Sequence, residues 1–280
     1  MSHPTAFCPA NISLIFETYD AEPPHSRGSL GVGITLDAGV TARVSRLPAE
    51  ARESEILVAG QHWRFPTVRS VLAALTSEPL RVELEAAFPF GCGFGMSGAS
   101  ALSTALAVNA LLELNLDRET LGMTAHRAEV DNATGLGDVG GQFNGGIMIK
   151  TRRHEPLLVE RLPLAAQTLH YRIHGPISTA EVINSREKLL RINRAGHAAM
   201  AEIREAGNTL TLERLFRISH RFATGSGLLQ SPAVAADIAA AEAAGHAATM
   251  IMLGEAVIST GPFPDSREAG VVFEGAQLVA

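Results

Sequence analysis

Apolar and polar positions recur with changing periods along this chain, and the changes mark out its elements. Residues 29–44 mix apolar residues with Gly31, Gly33, Asp37 and Gly39, a pattern that predicts two short strands joined by a turn. Residues 55–59 and 80–85 read as further strands, with an amphipathic run at 66–75 between them. Alanine and leucine dominate 99–114, which predicts a helix buried on most sides. A second helix covers 118–130. The run Gly145-Gly146-Ile147-Met148-Ile149-Lys150 reads as a strand leaving a turn, with 157–162 as its hairpin partner.

Composition changes near Pro163, and the chain divides there into an N-terminal domain, 1–163, and a C-terminal domain, 164–280. Beyond that point the pattern predicts a strand at 169–173, helices at 184–206, 211–224 and 233–244, and closing strands at 248–253, 256–259 and 271–274. Strands and helices alternate irregularly in both halves. An α+β protein of two packed lobes is therefore expected, rather than a regular doubly wound parallel sheet. With 280 residues, 46% hydrophobic and 19% charged, the chain can bury a sizeable core.

Charge narrows the partners. A net charge of −6 supplies no general attraction to nucleic acid or to an anionic membrane, so any phosphate-bearing ligand must be held locally. The most apolar stretch, 98–112, is interrupted by Ser100, Ser103, Thr104 and Asn109 and falls short of the roughly 20 residues that span a bilayer. It reads as a buried helix. The first residues lack a basic segment followed by a long apolar run, from which a cytoplasmic protein is expected. Cys8 and Cys92 make neither a disulfide framework nor a zinc site and read as free thiols.

The candidate chemistry begins at Pro89-Phe90-Gly91-Cys92-Gly93-Phe94-Gly95-Met96-Ser97-Gly98-Ala99-Ser100. Gly91, Gly93 and Gly95 permit tight turns and let backbone amides approach an anion. The helix that starts at Ser97–Ser100 adds free amides and a positive dipole end. A glycine-rich turn can also serve close helix–strand packing, so context must decide. No lysine stands near these glycines, which excludes a Walker-type loop. The loop follows roughly 88 residues and Glu113 would fall at a helix end, which fits a dinucleotide fold poorly. Phosphoryl transfer also needs Mg2+ ligands and a group to orient or deprotonate the attacking hydroxyl. Ser97 offers a hydroxyl, Glu129 a hard carboxylate, and Asp138 a carboxylate in a turn-rich run, Thr134-Gly135-Leu136-Gly137-Asp138.

These residues resemble the GHMP kinases, whose second motif is approximately PxGxGLGSSAS. The likeness rests on Pro89, the three glycines, Ser97 and the Ala99-Ser100 pair; it departs at Phe94, Met96 and Gly98. Within that family, the order of further segments is similar to the archaeal pantoate kinases. These are Ser26 to Gly33, Ala125 to Glu129, Gly135 to Val139, Arg191 to Gly196, Phe222-Ala223 with Ser226 to Leu229, and Met252 to Gly254. The resemblance implies an N-terminal nucleotide-binding lobe and a ferredoxin-like C-terminal lobe. It implies transfer of the ATP γ-phosphate to the 4-hydroxyl of pantoate, a step in coenzyme A synthesis. ATP would lie on Pro89, Gly91, Gly93, Gly95, Ser97, Gly98, Ala99 and Ser100; Mg2+ would meet Ser97 and Glu129; Asp138 would act as base. The third motif, 245–254, is depleted of glycine, and the first, Pro9-Ala10-Asn11-Ile12-Ser13-Leu14, lacks its common lysine. Because pantoate carries a carboxylate, Arg27, in a glycine- and serine-rich turn, is the expected cation. His25 and His126 are left outside the catalytic set. A homodimer is left open. The rival readings are a GHMP kinase for mevalonate or homoserine, a noncatalytic nucleotide-binding member, and, more remotely, a nicotinamide oxidoreductase.

Overall fold

The computed structural model describes residues 3–22, 27–183 and 185–279. His25, Ser26 and Asn184 therefore lie outside the described residues. The first sheet is built around two long antiparallel strands, β1 (Thr5–Tyr19) and β2 (Gly28–Arg46). The two short strands expected at 29–44 are thus one continuous strand. Its glycines serve close approach instead of a turn: a Cβ on Gly39 would stand 2.0 Å from the Cys8 carbonyl oxygen. Register shifts between Pro9 and Ala10 and between Ser13 and Ile15 bend the pair.

The far half of β2 pairs with β5 (Leu80–Ala86), which runs parallel to β3 (Glu55–Val58); β4 (Gln61–His62) closes that edge. The near half pairs with β6 (Ile147–Lys150), and β6 with the short β7 (Glu160–Arg161). Helix α1 (Pro66–Leu75) starts on a proline and occupies the stretch expected for it. Helix α2 (Met96–Leu112) lies against β1 and β2, flanked by α1, by α3 (Arg118–Asp131) and by α4 (Asp138–Asn144). Being covered all round, α2 has no polar stripe. Its Ser100 and Ser103 hydroxyls donate back to the Met96 and Ala99 carbonyls at 2.8 and 2.7 Å.

The second sheet is antiparallel in the order β11 (Arg267–Gly270), β8 (Thr168–Pro176), β10 (Gly254–Ser259), β9 (Ala248–Met250). Short α5 (Thr179–Ile183) leads into α6 (Arg186–Ala206), which packs on β1 and on α7 (Leu212–Ser226); α7 and α8 (Pro232–Ala243) cover β9. Val271 makes only an isolated bridge to Leu36, so the strand expected at 271–274 is not formed. The chain then runs back to the first sheet, where β12 (Gln277–Val279) pairs with β1. The architecture is α+β with two sheets, one in each lobe. No helix among the described residues is long and apolar enough to cross a membrane. Cys8 and Cys92 are free and buried.

Candidate active site

Between β5 and α2 the backbone makes three left-handed steps, at Gly91, Gly93 and Gly95, with φ of 79°, 85° and 65°. Other residues rarely adopt these angles. Space forbids them as well: a Cβ on Gly93 would stand 2.7 Å from the Met252 carbonyl oxygen, and one on Gly95 2.8 Å from Gln142 Nε2. Phe94 anchors the loop from below, buried and stacked on Phe88 with ring centroids 4.2 Å apart. Its carbonyl accepts from the Asn11 amide at 3.1 Å, which ties the loop to β1. No side chain caps α2 at Gly95, so the first amides of that helix are left for an anion.

At the second residue of α2, the Ser97 hydroxyl donates to Glu129 Oε1 at 2.6 Å. Glu129 projects from α3 and is 2% exposed. The same oxygen accepts from Thr134 Oγ1 at 2.6 Å, and Thr134 meets Thr67 Oγ1 at 3.1 Å. Burial pushes the Glu129 carboxyl up to about 7; the Ser97 and Thr134 hydrogen bonds oppose that rise and the neighbouring Asp138 charge adds to it. Among the described residues no three His, Cys, Asp or Glu side chains cluster as metal ligands. Ser97 and Glu129 nonetheless form a pair of hard oxygen donors beside the loop, the kind of partial ligand set that Mg2+ completes with phosphate oxygens and water.

Asp138 was expected in a turn; it is instead the first residue of α4, reached through Gly137. Its Oδ1 accepts from Asn11 Nδ2 at 2.9 Å. The carboxylate keeps partial exposure to the cavity, yet dense surroundings raise its pKa above the usual carboxylate range, against the hydrogen bonds from Asn11 and Ser13. It follows that Asp138 accepts a proton more readily than a solvated aspartate.

These groups converge on one cavity with an empty volume of about 730 Å³, open mouth included. Gly91, Gly93, Gly95, Ser97, Glu129 and Asp138 all line it. Thr179, Met252 and Leu253 close it from the second lobe, so the glycine-poor third motif contributes an apolar wall. Pro89, Gly98, Ala99 and Ser100 stand outside this lining: Pro89 faces a separate groove, and the other three are buried in the packing of α2. Arg27 is half-exposed and pairs with Asp20 at 3.4 Å. It too is outside the lining, although Ser29, two residues on, is part of it.

Sequence reasoning missed several members. Thr67, Thr134, Asn11 and Ser13 bear common side chains with no spacing signal. Lys150 is more telling. It ends the otherwise apolar strand β6, is 6% exposed, and lines a second cavity that shares Ser13, Phe16, Ser29 and Gly137 with the first. Its Nζ donates to the Pro156 carbonyl at 3.0 Å, and burial lowers its pKa to about 8. A lysine closing an apolar strand, one of only two lysines in the chain, was the available signal.

Residues 64–146 match the family model of the GHMP kinases N terminal domain. The chain is 30% identical over 272 residues to the pantoate kinase of Thermococcus kodakarensis, covering 91% of this chain and 86% of that protein. It is 28% identical over 286 residues to the pantoate kinase of Methanospirillum hungatei, covering 96% and 92%. A solved structure described as a phosphotransferase related to the CoA biosynthesis pathway superposes with a TM-score of 0.87 at 24% identity, over 99% of both chains.

Proposed function

The chain belongs to the GHMP kinases, and from that premise we propose that it transfers the γ-phosphoryl group of ATP to the 4-hydroxyl of pantoate. The observation that carries the reading is the convergence of the glycine loop, the Ser97–Glu129 pair and Asp138 on one cavity. Likeness to curated pantoate kinases over most of the chain supports the choice of acid.

In this reading the amides from Gly91 to Ser97 hold the nucleotide phosphates. Ser97 and Glu129 hold Mg2+, which when bound neutralises charge on the transferring phosphoryl group. Asp138, kept in place by Asn11, orients the acceptor hydroxyl and takes its proton. The acid's carboxylate needs a cation, and two stand nearby. Lys150 is inside the adjoining cavity; Arg27 is near Ser29 and would first have to leave Asp20. We assign the carboxylate contact to Lys150 and keep Arg27 as a contact made on substrate entry. A cytoplasmic location belongs to the same reading.

Purified protein, Mg-ATP and a panel of pantoate, mevalonate and homoserine test it, with the phosphorylated product identified by mass. Phosphopantoate formed in preference to the others is the expected result. Preference for another acid moves the assignment to a sibling kinase, and no product with any acid overturns it in favour of a noncatalytic nucleotide-binding protein.

A further inference from the structure

Gln142 is fully buried in α4, one helical turn after Asp138. Its Nε2 donates to the Gly95 carbonyl at 2.7 Å, at the residue where the phosphate loop becomes α2. Its Oε1 is buried with no hydrogen-bond partner. That atom lies 2.7 Å from where a Cβ on Gly98 would stand. Gly98 is one of the positions where this chain departs from its family's motif, and the wedge of the Gln142 amide between Gly95 and Gly98 is the nearest obstacle to a larger residue there, ahead of Glu129 Oε2 and Val139, each 3.3 Å from such a Cβ.

The glutamine is held from behind. Its backbone carbonyl accepts from the Ala276 amide at 2.8 Å, in the C-terminal run that returns from the second lobe. Arg161 Nη2 donates to the Phe273 and Asn144 carbonyls at 2.7 and 2.8 Å, which clamps the same run to the end of α4. Arg118 Nη2 reaches the Ala276 carbonyl at 3.2 Å and also the Phe143 carbonyl, its guanidinium lying over the Phe143 ring. Helix α4 is thus fixed on its outer side by the chain terminus and on its inner side to the loop through one amide.

We propose that Gln142 is a positioning residue for phosphoryl transfer, setting the spacing between Asp138 and the phosphate loop, and that Gly98 is small in order to admit it. The inference rests on the kinase reading above, but its test does not depend on which acid is the acceptor. Asp138 must meet a hydroxyl in line with a phosphate on the loop, and displacements on the ångström scale are enough to cost on the order of 10²-fold in rate. A side chain that bonds the loop and rides on the helix of Asp138 is placed to prevent them.

The test uses Gln142→Met, which keeps bulk but loses the donor, together with Gly98→Ala, Gln142→Ala and the Gly98→Ala/Gln142→Ala double variant. Turnover is read with whichever acid the wild type accepts. Nucleotide affinity is read separately from the fluorescence of Trp63, the single tryptophan, whose ring lies 4.9 Å from that of Phe90 at the loop. Folding is followed by thermal melting. Gln142→Met should lower kcat roughly 10- to 100-fold with nucleotide affinity within about threefold of wild type. Gly98→Ala should impair turnover alone and cost clearly less in the Gln142→Ala background, since the 2.7 Å collision is gone and only the 3.3 Å contacts with Glu129 Oε2 and Val139 remain. Wild-type kcat in Gln142→Met overturns the proposal. So do parallel losses of nucleotide affinity, turnover and melting temperature, which would mark a packing role, and so do additive effects at 98 and 142. If the wild type prefers an acid other than pantoate, the substrate assignment fails while these comparisons still decide the role of Gln142.

Discussion

Replacing Glu129 by glutamine should stabilise the metal-free protein at alkaline pH while removing its activity. In the folded chain the carboxyl is raised from 4.5 to about 7, chiefly by burial. A group whose folded pKa lies above its unfolded value contributes stability that is complete below about 4.5 and is lost as pH rises through about 7. Each unit of displacement corresponds to about 1.4 kcal/mol. At pH 8 the wild type therefore forgoes about 3 kcal/mol relative to a neutral isostere, and at pH 5 only about 1 kcal/mol. The glutamine carbonyl can still accept from Ser97 and Thr134, which now bond Oε1 at 2.6 Å each, so the substitution leaves those hydroxyls satisfied.

Thermal melting of both proteins in a chelator, at pH 5 and pH 8, measures the difference. At about 2–4 °C per kcal/mol for a chain of this order of size, the variant should melt roughly 6–12 °C higher at pH 8, with most of the gap gone at pH 5. Saturating Mg-ATP should then stabilise the wild type more than the variant, because only the wild type presents the carboxylate. A variant that melts below the wild type at pH 8 in chelator, or a gap that does not change with pH, would show that Glu129 is not held above its ordinary range by burial. Glu129 would then be an ordinary carboxylate with no need of a cation.

Further outcomes follow from the same site. Asp138→Asn, which keeps the acceptor for Asn11, should lower kcat by about 10²–10⁴-fold with little change in nucleotide or acid binding; near wild-type kcat in a folded variant would reduce Asp138 to a helix-start residue. With Lys150 at about 8, the apparent affinity for the acid should weaken as pH rises above 8, and Lys150→Met should abolish that limb while leaving the KM for ATP unchanged; a limb that survives the substitution assigns the carboxylate to another group. Arg27→Ala should raise the KM for the acid less than Lys150→Met does, and the reverse order would restore Arg27 as the main contact. Gly93→Val should prevent nucleotide binding, read by Trp63 fluorescence, because its Cβ would meet the Met252 carbonyl oxygen.

The glycine loop, Ser97, Glu129 and Asp138 were legible in the sequence because each sits in a short run whose composition departs from its surroundings. Helices α1, α3 and α6 to α8 were legible too, since a core-facing stripe or an alanine-rich run leaves a local trace. What failed was non-local. The long strand β2 was read as a hairpin because glycine looks the same whether it turns a chain or lets two backbones approach, and only the partner strand distinguishes them. Helix α4 was hidden by Gly140 and Gly141, poor helix formers that are kept because the Pro156 carbonyl and the Asn11 side chain lie where their Cβ atoms would be. Strand β12 has three residues and owes its existence to β1, more than 250 positions away in sequence. Lys150 and Asn11 acquire their chemical meaning from cavities made by other elements.

Asn11 bears on how the site manages charge. It stands in the first motif, where the family commonly has lysine, and its amide is bonded to Asp138. An amide orients that carboxylate without neutralising it, so burial raises the pKa of Asp138, whereas an adjacent ammonium would have lowered it. Glu129 is raised as well, and Lys150, a buried cation, faces the adjoining cavity. A nucleotide triphosphate entering such a cavity alone would bring more negative charge beside two carboxylates that already resist ionisation. The amides at the start of α2 offset part of this, but they amount to only about half a unit charge. The remainder has to come from a cation that arrives with the nucleotide, and Ser97 with Glu129 is where hard oxygen donors await it. On the proposed reading nucleotide and metal enter together, and the metal displaces whatever proton Glu129 still carries at a pH below about 7.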